Sequence, residues 1–380
     1  MDFTLSKQHL LQQQLYRSFA QEEIKPMAAE MDEAEEFSPE LLKKMQTAGF
    51  FGIPYSGNYG GAGADTLSYV LCIEEISKAD ASSGITISVH TSLCCSCIND
   101  FGTEEQKQQF LRPLVSGDAI GCFSLTEPGA GSDVAAGCST AVLDGDEYLI
   151  NGAKVFTTNS GFADFFIVFA ITDRGKGAKG MSAFVVEKNT PGLTVSHNIP
   201  RMGIRAASNC VVTYDGVRVP AGNRLSKEGD GFKIAMKALD AGRIGIGAQA
   251  VGIAQGALDE AVKYVKERKQ FGKPIAAFQN TQFRLAEMQT KIDAARLLVY
   301  RAAVAKDNKE AFGSYAAMAK LFASEMANEV TRVAVHLLGG YGYAREYTVE
   351  RMMRDAKITE IYEGTSEVMK MVISSGMNLK

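Results

Sequence analysis

Apolar and polar positions divide the chain into three textures. Residues 1 to about 118 carry helical spacing. An amphipathic, Gln-rich run extends from Phe3 to Phe19, and Glu40–Gln46 forms a short second helix that Gly49 ends. Leu67–Lys78 forms a third. Ser82–Asp100, rich in small residues and cysteines, forms a fourth that ends near Gly102. Thr103, with Gln106 three residues on, has the pattern of a capping box. The glycine loop PYSGNYGGAGAD lies between the second and third helices. From Ala119 to about Leu225 the chain alternates short β-like runs with turns: CFSL, YLINGAKVFTT, DFFIVFAITD, MSAFVVEK, LTVSH and CVVTYDGVRVP. Asp144-Gly145, Arg174-Gly175, Pro191-Gly192 and Asp215-Gly216 punctuate them. Short strands with regular turns predict a small barrel or sandwich rather than a βαβ sheet. Helical spacing returns at Gly231. Phe232, Met236, Leu239 and Arg243 form one stripe, and Phe283, Met288, Ile292, Ala295 and Val299 form another. A helix from about Ser314 ends at Gly339-Gly340. Long helices with short turns predict an antiparallel bundle. The expected domains are a helical one over 1–118, a β domain over 119–226 and a helical bundle over 227–380.

Composition narrows the function classes. The 380 residues are 46% apolar and 22% charged, with a formal net charge of −4. That is the make-up of a folded globular chain of more than one structural unit. Signs are interspersed, so no basic patch for nucleic acid is expected. No run approaches the ~20 uninterrupted apolar residues of a membrane span. The N-terminal residues lack the pattern of a secretory or organelle leader, so a cytoplasmic location is expected. Seven cysteines do not pair evenly. Cys94 and Cys97 have CxxC spacing, but neither a second close pair nor clustered histidines complete a metal site. Packed, reduced thiols are the expectation.

Several motifs carry candidate chemistry. TEPGAGSD, residues 126–133, follows the CFSL strand, and its glycines would let the backbone approach an anion. From composition alone a tight turn is the favoured reading, since no GxGxxG opens a helix in a βαβ unit. That absence argues against a nicotinamide dehydrogenase. Gly242, Gly245, Gly247, Gly252 and Gly256 interrupt a helical stretch at up to ~1 kcal/mol each. Close packing or a ligand against the helix would explain them. Asp240 and Arg243 sit one turn apart and form a local ion pair by spacing. Glu363 precedes Gly364 at a helix break, but pattern alone does not single it out among the acids.

Together, YGGAG (59–63), FGTEEQKQQFL (101–111), FSLTEPGAGSD (123–133), NGAKVFTTN (151–159), LDAGRIGIGAQAVGIAQGALDEAVKYVKERKQFGKPIAAFQ (239–279), LLGGYGY (337–343) and RDAKITEIYEGTSE (354–367) resemble the acyl-CoA dehydrogenase family over essentially the whole chain. The resemblance is nearest to the short-chain, butyryl-CoA branch of bacteria. It implies a mainly α fold with an N-terminal helical domain, a central β domain and a C-terminal four-helix bundle. It also implies an FAD enzyme of fatty-acid metabolism that converts an acyl-CoA to its 2,3-enoyl-CoA, commonly as a homotetramer that passes electrons to an electron-transfer flavoprotein. By motif, Glu363 is the catalytic base. Phe123, Leu125 and Thr126 line the flavin, with Phe156, Thr157 and Thr158 as its wall. Ser132 serves the FAD pyrophosphate and lies near CoA. Arg268, Phe271 and Gln279 contact a neighbouring subunit's FAD, and His336, Gly339 and Gly340 match a further FAD stretch. Thr365 and Glu367 match FAD contacts. Asp240, Arg243, Tyr362 and Gly364 match substrate-binding segments. Two positions depart from the family pattern: Phe156 stands where relatives often carry Trp, and His336 where they usually carry Gln. Some relatives place the base just before the arginine of the long helix. Here that position is Gly242, which favours Glu363. The same resemblance leaves open an enoyl-CoA reductase, with or without electron bifurcation, and a non-catalytic CoA-binding relative.

Overall fold

The computed structural model describes residues 4–377. Phe3, where the first helical run was expected to begin, lies outside them. The helix starts at Lys7, because the Ser6 hydroxyl accepts from the His9 N–H (3.2 Å), and runs to Phe19. Pro39–Thr47 follows, with Gly49 in a left-handed conformation (φ 76°) beyond it. Thr66–Ala79 is capped by Asp65. Thr103 and Gln106 form the expected capping box.

The fourth helical stretch, Ala81–Phe101, is long and apolar enough to cross a membrane, yet it is buried inside the protein except at its last residues, where Asp100 is exposed. It is a core helix, with a π-helical segment at Val89–Cys95. Cys94, Cys95 and Cys97 pack there as small apolar groups, as expected. Cys138 is the exception among the cysteines and is exposed.

The middle of the chain forms one sheet: β1 (Gly121–Ser124), β2 (Thr140–Asp144), β3 (Glu147–Thr158), β4 (Phe165–Ile171), β5 (Met181–Glu187), β6 (Leu193–Val195), β7 (Asn209–Pro220) and β8 (Arg224–Leu225). The order is β6-β7-β3-β2-β4-β5-β8, and β1 pairs in parallel with β4. Strand β4 is buried on both sides, which explains its unbroken apolar run. Phe166 and Val168 enter one core, while Ile167 and Phe169 enter the larger core shared with the helices.

The C-terminal part is built on a 37-residue helix, Gly231–Glu267, packed against Gln279–Asp307, Gly313–Leu338 and Thr66–Ala79. Its glycines are explained mostly by close approach. A Cβ at Gly252 would lie 2.4 Å from the Glu74 carbonyl oxygen, and one at Gly256 would lie 2.6 Å from that of Lys78. At Gly247 it would meet the Val299 side chain at 2.9 Å. In Gln279–Asp307 the stripe Met288, Ile292, Ala295 and Val299 is buried, but Phe283 is 57% exposed. Phe283 falls off the stripe because it precedes Met288 by five positions, beyond the three or four that share a helix face.

Candidate active site

Glu363 sits in the turn between helices Val349–Ile358 and Ser366–Ser375. The turn is closed by the Ser366 N–H, which donates to the Glu360 carbonyl (3.0 Å), and by Thr365, whose hydroxyl accepts from the Val368 N–H. Glu363 and Gly364 both have positive φ, 51° and 101°. Glycine is free there, but a glutamate is uncommon in this region, and such backbone concentrates at functional sites.

The turn directs the Glu363 side chain toward the long helix at Gly242. A Cβ at Gly242 would lie 2.0 Å from Glu363 Oε2 and 2.8 Å from Leu93 Cδ2, so the carboxylate fills the space that a side chain there would need. Leu93 belongs to the π-helical segment. The residue as a whole is part-exposed, but both carboxylate oxygens are buried and neither has a hydrogen-bond partner. Burial pushes the acid up to about 7, against the favourable charges of Lys320 and Arg243.

Around this group, the Tyr362 hydroxyl donates to Gln249 Oε1, and the Gln249 amide donates to the Ala81 carbonyl (2.9 Å). Arg243, 5% exposed, donates to Asp240 at 2.6 Å, while its Nε has no partner. The spacing-based ion pair is therefore present, and it lies beside Glu363. Burial lowers the Arg243 guanidinium, and Asp240 lifts it in part.

A second feature lies on the sheet. The register between β3 and β7 shifts between Lys154 and Thr157. This bulge holds Phe156 at φ 55° and turns its ring outward, 58% exposed, while Thr157 and Thr158 stay buried. Leu125–Ala130 lies beside it: the Val155 N–H donates to the Thr126 carbonyl (2.8 Å), and Lys154 reaches the Leu125 carbonyl and the Glu127 carboxylate (2.7 Å). The Asn209 amide donates to the Thr158 hydroxyl, and its own Oδ1 is buried without a partner. Glu127 and Ala130 bond to each other across the Pro128-Gly129 turn. Gly129 and Gly131 face open space, and Ser132 is exposed next to them.

A third group gathers at one corner of the helical bundle. Arg268 lies 5.5 Å from the Tyr341 ring centroid, which brings it to the Gly339-Gly340 turn. A cleft of about 390 Å³ opens there, beside Arg268 and away from Glu363. His336 and Gln279 are exposed, and Phe271 (φ 51°) is 92% exposed. Glu367 is exposed in the first turn of the last helix.

These surfaces fit FAD. An outward aromatic ring at a bulge offers a wall for a flat ring system. Buried, unpartnered Asn209 Oδ1 and a glycine loop open to solvent can meet polar and anionic groups. Arg268 can donate two bonds to a pyrophosphate.

Sequence reasoning missed several residues: Lys320, the buried Lys154–Glu127 pair, Asn209 and Leu93. Lys320 left a faint signal, a lone cation in the small-residue run AAMAKLFASEMA.

The chain matches family models described as acyl-CoA dehydrogenase N-terminal domain over residues 6–118, middle domain over 122–217 and C-terminal domain over 229–378. It is 54% identical to "Acyl-CoA dehydrogenase, short-chain specific" of Clostridium acetobutylicum, covering 98% of this chain and 99% of that one. It is 48% identical to "Acryloyl-CoA reductase (NADH)" of Anaerotignum propionicum, covering 98% and 95%. Among solved structures, butyryl-CoA dehydrogenase from Megasphaera elsdenii superposes with a TM-score of 0.98 at 46% identity, covering 99% and 100%. A chain from a study of the electron transferring flavoprotein of Acidaminococcus fermentans and flavin-based electron bifurcation superposes with a TM-score of 0.99 at 49% identity, covering all of both chains.

Proposed function

The chain belongs to the acyl-CoA dehydrogenase family, and we propose that within it Glu363 is the base that takes the α-proton of a short-chain, butyryl-type acyl-CoA as the 2,3-enoyl-CoA forms. The protein is an oxidoreductase of the three-domain acyl-CoA dehydrogenase architecture, and the family is FAD-dependent. One observation carries the choice of base: a buried carboxylate with both oxygens unpartnered, at the end of a strained turn. Hydrogen bonds to a carboxylate stabilise its charge and weaken it as a base. An oxygen left bare, in a site that holds the acid near neutrality, is matched to proton abstraction at working pH.

Bound FAD supplies the acceptor for the hydrogen that leaves the β-carbon. The chain's own residues do the rest. Glu363 meets the α-carbon, Leu93 and the closed helix packing exclude water, and backbone N–H groups polarise the thioester carbonyl. Asp240, Arg243, Tyr362 and Gly364 line the substrate side. Phe123, Leu125, Thr126, Phe156, Thr157 and Thr158 hold the flavin ring, and Ser132 serves the pyrophosphate near CoA. Arg268, Phe271, Gln279, His336, Gly339 and Gly340, with Thr365 and Glu367, hold FAD. The exposure of Phe271 and Gln279 suits contact with a neighbouring subunit's cofactor in a homotetramer. An electron-transfer flavoprotein as redox partner, a cytoplasmic location and domain limits after residues 118 and 226 complete the reading. Glu363→Gln should keep FAD and bind acyl-CoA but lose most turnover; near-normal turnover removes Glu363 from its role. Activity across straight, branched and aryl acyl-CoA thioesters tests the chain-length assignment.

A second reading reverses the direction. The likeness to an acryloyl-CoA reductase and to a chain from work on electron bifurcation favours an enoyl-CoA reductase. The same residues serve both directions. Turnover measured each way with the cognate electron-transfer flavoprotein separates them.

A further inference from the structure

Lys320 lies on helix Gly313–Leu338 with no exposed surface, and none of the roles above uses it. Burying an ammonium is costly unless it is well bonded. Its Nζ donates at 2.5 Å to the backbone carbonyl of Gly364, the residue directly after Glu363. We infer that Lys320 is a positioning residue for the base: by gripping the Gly364 carbonyl, it fixes the left-handed turn that aims the Glu363 carboxylate into the space at Gly242. The inference rests on Glu363 being the base.

The geometry has two parts. On one side of the turn, the Thr365 hydroxyl caps the last helix; on the other, Lys320 holds the carbonyl of Gly364. Between these anchors, φ at 363 and 364 has little freedom to relax toward an ordinary conformation. The ammonium is also one of the two cations that favour ionised Glu363, with Arg243 of the long helix as the other. Tyr69 and Tyr362 face the same carboxylate from their own elements, while Glu360 and Glu367 act on the ammonium. Removal of Lys320 therefore has two separable effects, a loosened turn and a base that is harder to ionise.

The test uses the full-length, FAD-loaded protein and the pH profile of kcat with butyryl-CoA. Lys320→Met should lower kcat by roughly 10- to 100-fold, the scale of a misplaced catalytic group. It should also move the acidic limb up by about one pH unit, the ordinary effect of losing a nearby opposite charge. Lys320→Gln keeps a donor without the charge, so part of kcat returns while the limb stays displaced. Lys320→Arg keeps the charge, so the limb returns to the parent position. A lysine that only fills space would lower Tm in the variants and leave the limb in place, and that result overturns the inference. If the Met variant does not load FAD, the Gln and Arg variants decide by the same comparison. Glu363→Gln run in parallel separates the failures. Normal turnover in that variant removes the base itself, whereas its loss together with an unmoved limb removes only Lys320.

Discussion

Replacing Gly242 with alanine should separate activity from stability. The new methyl would start 2.0 Å from Glu363 Oε2, whereas ordinary contact begins at 3.4 Å. The carboxylate must therefore retreat by about 1.4 Å. It is the far end of a flexible side chain and has no hydrogen bond to break, so the retreat costs the fold little. Leu93 Cδ2, at 2.8 Å, must also give, by about 0.6 Å. Against these, alanine improves the helix by up to ~1 kcal/mol. The net effect on stability should lie within about 1 kcal/mol of zero. Activity responds differently, because about 1 Å of displacement at a reacting group is worth roughly 100-fold in rate. Dye-linked kcat with butyryl-CoA should fall by about that factor, while Tm and FAD content stay near the parent values. A kcat within about twofold of the parent would refute the placement of Glu363 against Gly242.

Other perturbations should act through different parts of the molecule. Gly252→Ala meets a backbone carbonyl at 2.4 Å that cannot swing away, so it should lower stability by about 1–3 kcal/mol, read as a fall in Tm; an unchanged Tm contradicts the packing described. Lys154→Met leaves the buried Glu127 carboxylate with only the Cys138 and Ser139 N–H groups and should cost about 3 kcal/mol in chemical denaturation, whereas a cost below about 1 kcal/mol would mean the pair is dispensable. Free-enzyme kcat/KM should rise with pH through about 7 as Glu363 ionises, and a flat profile between pH 5 and 9 would remove the titrating base. The native acid binds its proton more tightly than the unfolded chain, whose value is 4.5, so its stabilising effect is complete below that pH and is lost as pH rises through about 7. Glu363→Gln should therefore raise stability at pH 8 by up to about 3 kcal/mol and leave it unchanged near pH 4; a lower Tm at pH 8 is the contrary result.

Much of the architecture was legible because it depends on local pattern. The capping box at Thr103 and the glycine stops at Gly49, Gly102 and Gly339 marked helix limits, and the doubly buried β4 showed as an unbroken apolar run, whereas the caps at Ser6 and Asp65 were not read. Strand β2, with Val142 and Leu143 exposed, lacked a clean alternation and was not read. The parallel pairing of β1 with β4 is a long-range choice that no local signal carries. At the site, the pattern of residues left Glu363 among many acids; only the resemblance nominated it. Its environment arises from contacts between residues far apart in sequence, with Gly242, Leu93 and Lys320 on three separate helical segments. The glycine run of the long helix showed that something approaches closely but not what. Gly245, Gly247, Gly252 and Gly256 admit neighbouring chain, and Gly242 admits the carboxylate. The outward turn of Phe156 depends on a bulge set by pairing with β7, invisible in β3 alone.

The assignment of Glu363 as proton acceptor meets its most direct test in a single turnover without an electron acceptor. FAD-loaded parent and Glu363→Gln proteins are mixed anaerobically with butyryl-CoA, and the oxidised-flavin absorbance is followed by stopped flow. The parent band should bleach within one turnover, while the variant's band should shift on binding and then stay oxidised. Bleaching of the variant at the parent rate would contradict the assignment.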